Sequence, residues 1–138
     1  MGIPQSGRFT AWWEHDEKNN KVSIHAHQAQ DEHRKQIITD VDVLRTAGPF
    51  ALCKIGLVTG RTHQIRAHMA SIGCPILGDS KYGNNSANRE LKLKYQALCA
   101  YELTMPRFTQ PDFAFLSGKT FHAPKPWYYQ QVLDGTLK

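Results

Sequence analysis

The sequence predicts an α+β domain: a mixed, mainly antiparallel sheet with few flanking helices. Three observations carry this. Residues 37–45 alternate between two faces. A second strand-like run follows directly after a Gly-Pro turn. One clear helical stripe comes next, closed by a glycine.

In chain order, residues 1–35 are polar and uneven. Phe9 to Trp13 is rich in aromatics, and residues 14–20 read as a solvated turn. Val22 to Ala26 alternates as a short strand. In the next run Ile37, Thr39, Val41 and Val43 share one face, and Ile38, Asp40, Asp42 and Leu44 share the other. Thr46-Ala47-Gly48-Pro49 is a turn, and Phe50 to Val58 is the partner strand of a hairpin. Thr62 is placed to cap the helix that follows. Its buried stripe is Ile65, His68, Met69 and Ile72, and Gly73 ends it in a left-handed conformation.

Gly78 to Gly83 is a turn-rich loop, and Asn84 to Tyr95 is a loop running into a short helix. Ala97 to Met105 predicts a strand stopped by Pro106. Phe113–Leu116 and Thr120–Ala123 predict two more short strands, and a helix or tail begins at Pro126. The 138 residues suffice for a single domain spanning 1–138.

Composition narrows the function. There are 17 Lys and Arg against 12 Asp and Glu, a net charge of +5, which suits a polyanionic partner. No apolar run reaches the roughly 20 residues of a membrane span, and no secretory signal is expected. Cys53, Cys74 and Cys99 form no CxxC pair and read as reduced thiols of a cytoplasmic protein, with Cys53 and Cys99 as small buried residues of strands. His25 and His27, or His63 and His68, lack the spacing of an HExxH metal site, so no metal is expected. There is no GxSxG elbow, P-loop or GxGxxG.

The densest chemical signal is Leu57 to His68. A strand ends, a glycine turns the chain, and a helix begins whose N-terminus favours an anion. Arg61, His63, Gln64 and Arg66 crowd donors into six residues at that point. This is more than packing alone requires.

The run Thr59-Gly60-Arg61-Thr62-His63-Gln64-Ile65-Arg66, then Gly73-Cys74-Pro75-Ile76, then Gly78-Asp79-Ser80-Lys81-Tyr82-Gly83 resembles the signature of RluA-type RNA pseudouridine synthases. Leu98 to Leu103 resembles a strand of that family, with Cys99 where a histidine is usual, and Phe121 to Pro126 resembles its terminal Ala-Pro-containing segment. The resemblance implies a partial pseudouridine synthase fold. It also implies isomerisation of uridine to pseudouridine in ribosomal or transfer RNA, without a cofactor. By position, Arg66 matches the arginine that pairs with the catalytic aspartate, while Arg61, Thr62, His63 and Gln64 are assigned to substrate and RNA binding.

The family's His-Arg-Leu-Asp motif, which carries that aspartate, has no counterpart in this sequence, nor has its Lys-x-Tyr-x-Ala motif. The chain therefore reads as the C-terminal portion of the catalytic domain, with the catalytic half absent, and is expected to be inactive alone. Asp79 is expected only to hold its own loop, and Arg66 to face solvent or an adventitious anion. A non-catalytic RNA-binding module and a structural domain left by gene decay are the alternatives. A sheet short of strands is further expected to self-associate through its exposed edge.

Overall fold

The computed structural model describes residues 2–29 and 33–137. Its main sheet has four antiparallel strands: β1 (Gly7–Asp16), β2 (Lys21–His25), β3 (Lys35–Ala47) and β4 (Phe50–Leu57), in the order β2-β1-β3-β4. Helix α1 (Gln64–Ser71) packs on β2 and β3. Helix α2 (Asn85–Glu90) follows, then a two-stranded ribbon of β5 (Glu102–Thr104) and β6 (Thr120–His122), and helix α3 (Trp127–Leu133) against β3 and β4. The α+β, mainly antiparallel class is the one the alternation predicts.

The β3–β4 hairpin forms as expected, with Thr39 opposite Leu57 and Ala47 opposite Phe50. Ile37, Thr39 and Val41 are buried on one face, and a bulge between Val43 and Arg45 shifts the register before the turn. The first strand was not legible. Two adjacent tryptophans hide the alternation of Phe9, Ala11, Trp13 and His15 against Arg8, Thr10, Trp12 and Glu14. Pairing on both sides, with β2 and with β3, nevertheless makes β1 a central strand. The turn is correspondingly shorter, Glu17 to Asn20, and Asp16 accepts from the Asn19 backbone and side chain.

Later elements depart further from expectation. Only Glu102–Thr104 of the predicted 97–105 strand pairs, because the Ala97 amide donates to Leu77 O and takes the chain out of any ladder. Residues 111–116 form a 3-10 turn where 113–116 was expected extended. Pro111 presets a helical φ at its start, and the Phe113 amide donates to Gln110 O. Cys99, expected buried in a strand, is exposed, whereas Cys53 is half-buried and burial pushes its thiol up to about 11. No described cysteine is bonded to another.

Helix α1 also turns differently from its stripe. The residues buried against the sheet are Gln64, Ala67, His68 and Met69, while Ile65 is only half-buried. The polar pair Gln64 and His68 is drawn in by the Thr39 hydroxyl beneath it. Ile65, together with Met69, lines an apolar cleft of about 830 Å³ beside β4, flanked on the far side by residues 97–104 and α3. Gly73, at φ 80°, ends the helix as predicted: its amide donates to Ala70 O and that of Cys74 to Met69 O.

Candidate functional site

The turn from Thr59 to Gln64 is locked from below. The Gln64 carboxamide, 2% exposed, uses all four of its hydrogen-bonding positions. Its Oε1 accepts from Thr59 Oγ1 (2.8 Å) and the Arg61 amide (3.1 Å). Its Nε2 donates to Ile38 O and Thr39 Oγ1, both at 3.1 Å. Gln64 thus acts as a cross-link between β3, the turn and α1, its carboxamide saturated by partners within the protein. Thr39 Oγ1, accepting from Gln64, also lies 2.8 Å from His68 Nδ1. Burial lowers the pKa of His68 below its ordinary value.

Thr62 does not cap the helix. His63 occupies the cap position in a left-handed conformation (φ 54°), and no side chain caps α1. A non-glycine residue there is strained by about 1–2 kcal/mol and persists only where its surroundings hold it. Here two contacts do so. Trp13 Nε1 donates to Thr62 O at 2.9 Å, and His63 Nδ1 lies 2.9 Å from the Tyr82 hydroxyl. Thr62 thus contributes its carbonyl, not its hydroxyl, to shaping the turn. Arg61 is exposed, with its guanidinium 5.8 Å from the centre of the Trp13 ring.

Arg66 does not face solvent. It forks onto Asp79, with Nε to Oδ2 at 2.8 Å and Nη2 to Oδ1 at 3.0 Å, and its guanidinium lies 5.2 Å from the centre of the Tyr82 ring. The Asp79 side chain is fully buried, that of Arg66 17% exposed. Burial alone raises a carboxyl pKa, but the Arg66 fork and the Tyr82 and Lys81 amides outweigh it and hold Asp79 below its usual range. Asp79 Oδ1 accepts both amides, at 3.0 and 2.9 Å, so the aspartate folds the Gly78–Gly83 loop and orients Arg66 together. Asn88, buried, closes the loop from behind, donating to Asp79 O and accepting from the Gly78 amide. A Cβ at Gly83 would overlap the Asp79 carbonyl oxygen, which explains the glycine there.

The fork uses the Nε–Nη2 edge of Arg66. Nη1 lies outside it, as does one Nη2 hydrogen. The turn therefore presents cationic donors, Arg61 and Arg66, beside the half-buried His63, with Lys81 on the adjoining loop. Sequence reasoning missed Tyr82, Trp13, Asn88 and the Asp79 partner of Arg66. Tyr82 and Asp79 stood in a recognised motif, but their partners are 13 to 60 residues away. No group of three metal-ligating side chains occurs among the described residues, and none of their helices is long and apolar enough to cross a membrane.

Residues 2–71 match the family described as RNA pseudouridylate synthase, and the chain belongs to that family. It is 51% identical over 104 residues to an uncharacterized RNA pseudouridine synthase, YlyB, of Bacillus subtilis, covering 75% of this chain and 32% of that protein. It is 39% identical over 103 residues to ribosomal large subunit pseudouridine synthase D of Neisseria meningitidis, covering 67% of this chain and 25% of that protein. Human RNA pseudouridylate synthase domain containing 1 superimposes with a TM-score of 0.61 at 27% identity, covering 98% of this chain and 54% of that one. The matched region spans less than half the length of these curated bacterial relatives.

Proposed function

We propose that residues 57–83 form the supporting wall of an RluA-type pseudouridine synthase active site that acts on RNA. The observation that carries this is the Arg66 guanidinium, held on one edge by Asp79 and on its face by Tyr82, with Nη1 outside the fork. A guanidinium so fixed can steady a second carboxylate by charge-assisted hydrogen bonds. In this reading the second carboxylate is the family's nucleophilic aspartate. Its His-Arg-Leu-Asp motif does not occur in this sequence, so in this reading the chain by itself does not turn RNA over. It corresponds to the C-terminal portion of the catalytic domain and works in the cytoplasm.

The Neisseria relative is named for the large ribosomal subunit, which supports ribosomal RNA as the first substrate to test. Incubating the chain with RNA carrying tritium at uridine C5 should release no tritium, and release would overturn the inactivity. Binding to a short uridine-containing RNA should weaken steeply with added salt. No binding at low salt would favour a structural domain over an RNA-binding module. In a protein of the relatives' length, Arg66→Ala should abolish tritium release.

The second part of the proposal concerns assembly. β2 and β4 terminate the sheet, and the apolar cleft opens beside β4. Edge strands template pairing with another chain. The chain is expected to self-associate through an exposed edge of the sheet, and light scattering that reports a monomer at high concentration would count against it.

A further inference from the structure

Tyr82 touches His63, Arg66 and the sheet together. Its hydroxyl oxygen accepts from the Val22 amide of β2 at 2.9 Å. The same oxygen lies 2.9 Å from His63 Nδ1, with the two rings edge to face and their centres 5.5 Å apart. A phenol has one hydrogen to give. The Val22 amide is a donor and cannot take it. If Nδ1 carried a proton, two N–H groups would converge on one oxygen and the phenolic hydrogen would be left without this acceptor. If Nδ1 is bare, the hydroxyl donates to it and both bonds are made.

The groups around the ring also disfavour imidazolium. Arg66 and Lys81 face His63 as cations, His15 adds to them when charged, and the nearby anion Asp79 is already engaged by Arg66. Burial acts in the same direction, and the His63 pKa lies below its ordinary value.

We propose that Tyr82 is a positioning residue for His63: its phenol, anchored on the β2 backbone, fixes the imidazole in the Nε2–H tautomer, so that His63 meets RNA as a hydrogen-bond donor and never as an acceptor. The tautomer follows from the protein alone, while the donation to RNA rests on the RNA-binding reading above. With Arg61, Arg66 and Lys81 also donors only, the wall selects acceptor oxygens, those of phosphates or of uracil carbonyls. A fixed tautomer matters because a neutral imidazole free to switch would accept as readily as it donates.

The test is in two arms. Long-range proton–nitrogen correlation spectra of the 15N-labelled chain at pH 7.5 should show His63 with a bare Nδ1 and a protonated Nε2. A protonated Nδ1 overturns the proposal whether or not RNA binds. In Tyr82→Phe, which keeps the ring under Arg66, the His63 signals should move toward a mixture of tautomers; an unchanged pattern overturns the proposal.

In the second arm, Tyr82→Phe should weaken binding of a short uridine-containing RNA by about two- to tenfold, the worth of one hydrogen bond. The His63→Ala, Tyr82→Phe double variant should bind no more weakly than His63→Ala. Additive losses would mean that Tyr82 contacts RNA itself and would overturn its action through His63. Uridine and inorganic phosphate, titrated separately, show which acceptor moves the Nε2–H resonance; a response to neither overturns the donor role. If the wild-type chain binds no RNA, the RNA reading fails while the tautomer result still stands or falls alone.

Discussion

Replacing Asp79 by Asn isolates the contact on which the site's orientation depends. The change keeps shape and one oxygen, so the Lys81 and Tyr82 amides retain an acceptor at Oδ1. The other terminus becomes an NH₂ that points at Arg66 Nε, where Oδ2 now accepts at 2.8 Å. A donor then faces a donor, and a largely buried guanidinium loses its counter-ion. Removing one partner of a buried pair costs about 3–5 kcal/mol. Because Arg66 is 17% exposed and can turn partly to water, a cost somewhat below that range, about 2–4 kcal/mol, is expected. Against a typical total of about 5–15 kcal/mol this is measurable and in most cases survivable. Urea unfolding followed by tryptophan fluorescence, with Trp13 hydrogen-bonded to the same turn, gives the number. Arg66→Met and the double variant complete a cycle, and a coupling of at least about 1 kcal/mol is expected between groups in direct contact. The pH dependence supplies a second check. The Asp79 pKa is lowered in the fold, so its contribution is complete above the unfolded value of about 3.9 and is lost as pH falls through the folded value. Asp79→Asn should lack that portion of the acid limb. A cost below about 0.5 kcal/mol, or an equal cost with Arg66 already removed, would mean that the pair does not hold the loop.

Other outcomes follow from the same geometry. Gln64→Leu leaves Thr39, Ile38 O and the Arg61 amide short of a partner and should destabilise by about 2–4 kcal/mol, with Gln64→Glu also costly; retention of full stability in denaturant would remove Gln64 from its cross-linking role. Gly83→Ala, whose Cβ would strike the Asp79 carbonyl, should lower the melting temperature by several degrees, whereas Gly48→Ala, at φ 58° with nothing within 4 Å of its Cβ, should cost only about 1 kcal/mol of left-handed strain. His68 has a pKa lowered by burial, so its contribution is complete above about 6.5 and declines as pH falls below that, a slope that His68→Gln should flatten in thermal melts from pH 7.5 to 5.5. Trp13→Phe, which deletes the donor to Thr62 O, should leave the fold intact and loosen the turn, read as faster hydrogen exchange at Arg61 to Gln64.

Periodicity determined a good part of this protein. The alternation over 37–45 and the Gly-Pro turn suffice for the β3–β4 hairpin, because a strand with one face buried has only one register that hides its apolar set. Gly73 marked the end of α1 because few residues tolerate the left-handed turn it makes there. The run Thr59 to Gly83 carried the resemblance to the family. The partners of those residues came from contacts far apart in sequence. Gln64 and His68 face inward because Thr39, 25 to 29 residues earlier, offers a hydroxyl. Arg66 is held by Asp79, and His63 by a tyrosine whose oxygen is pinned to β2. A sequence pattern records which side chains an element can present. Which of them spend their hydrogen bonds inside the protein, and which remain for a ligand, is decided only when distant strands and loops meet.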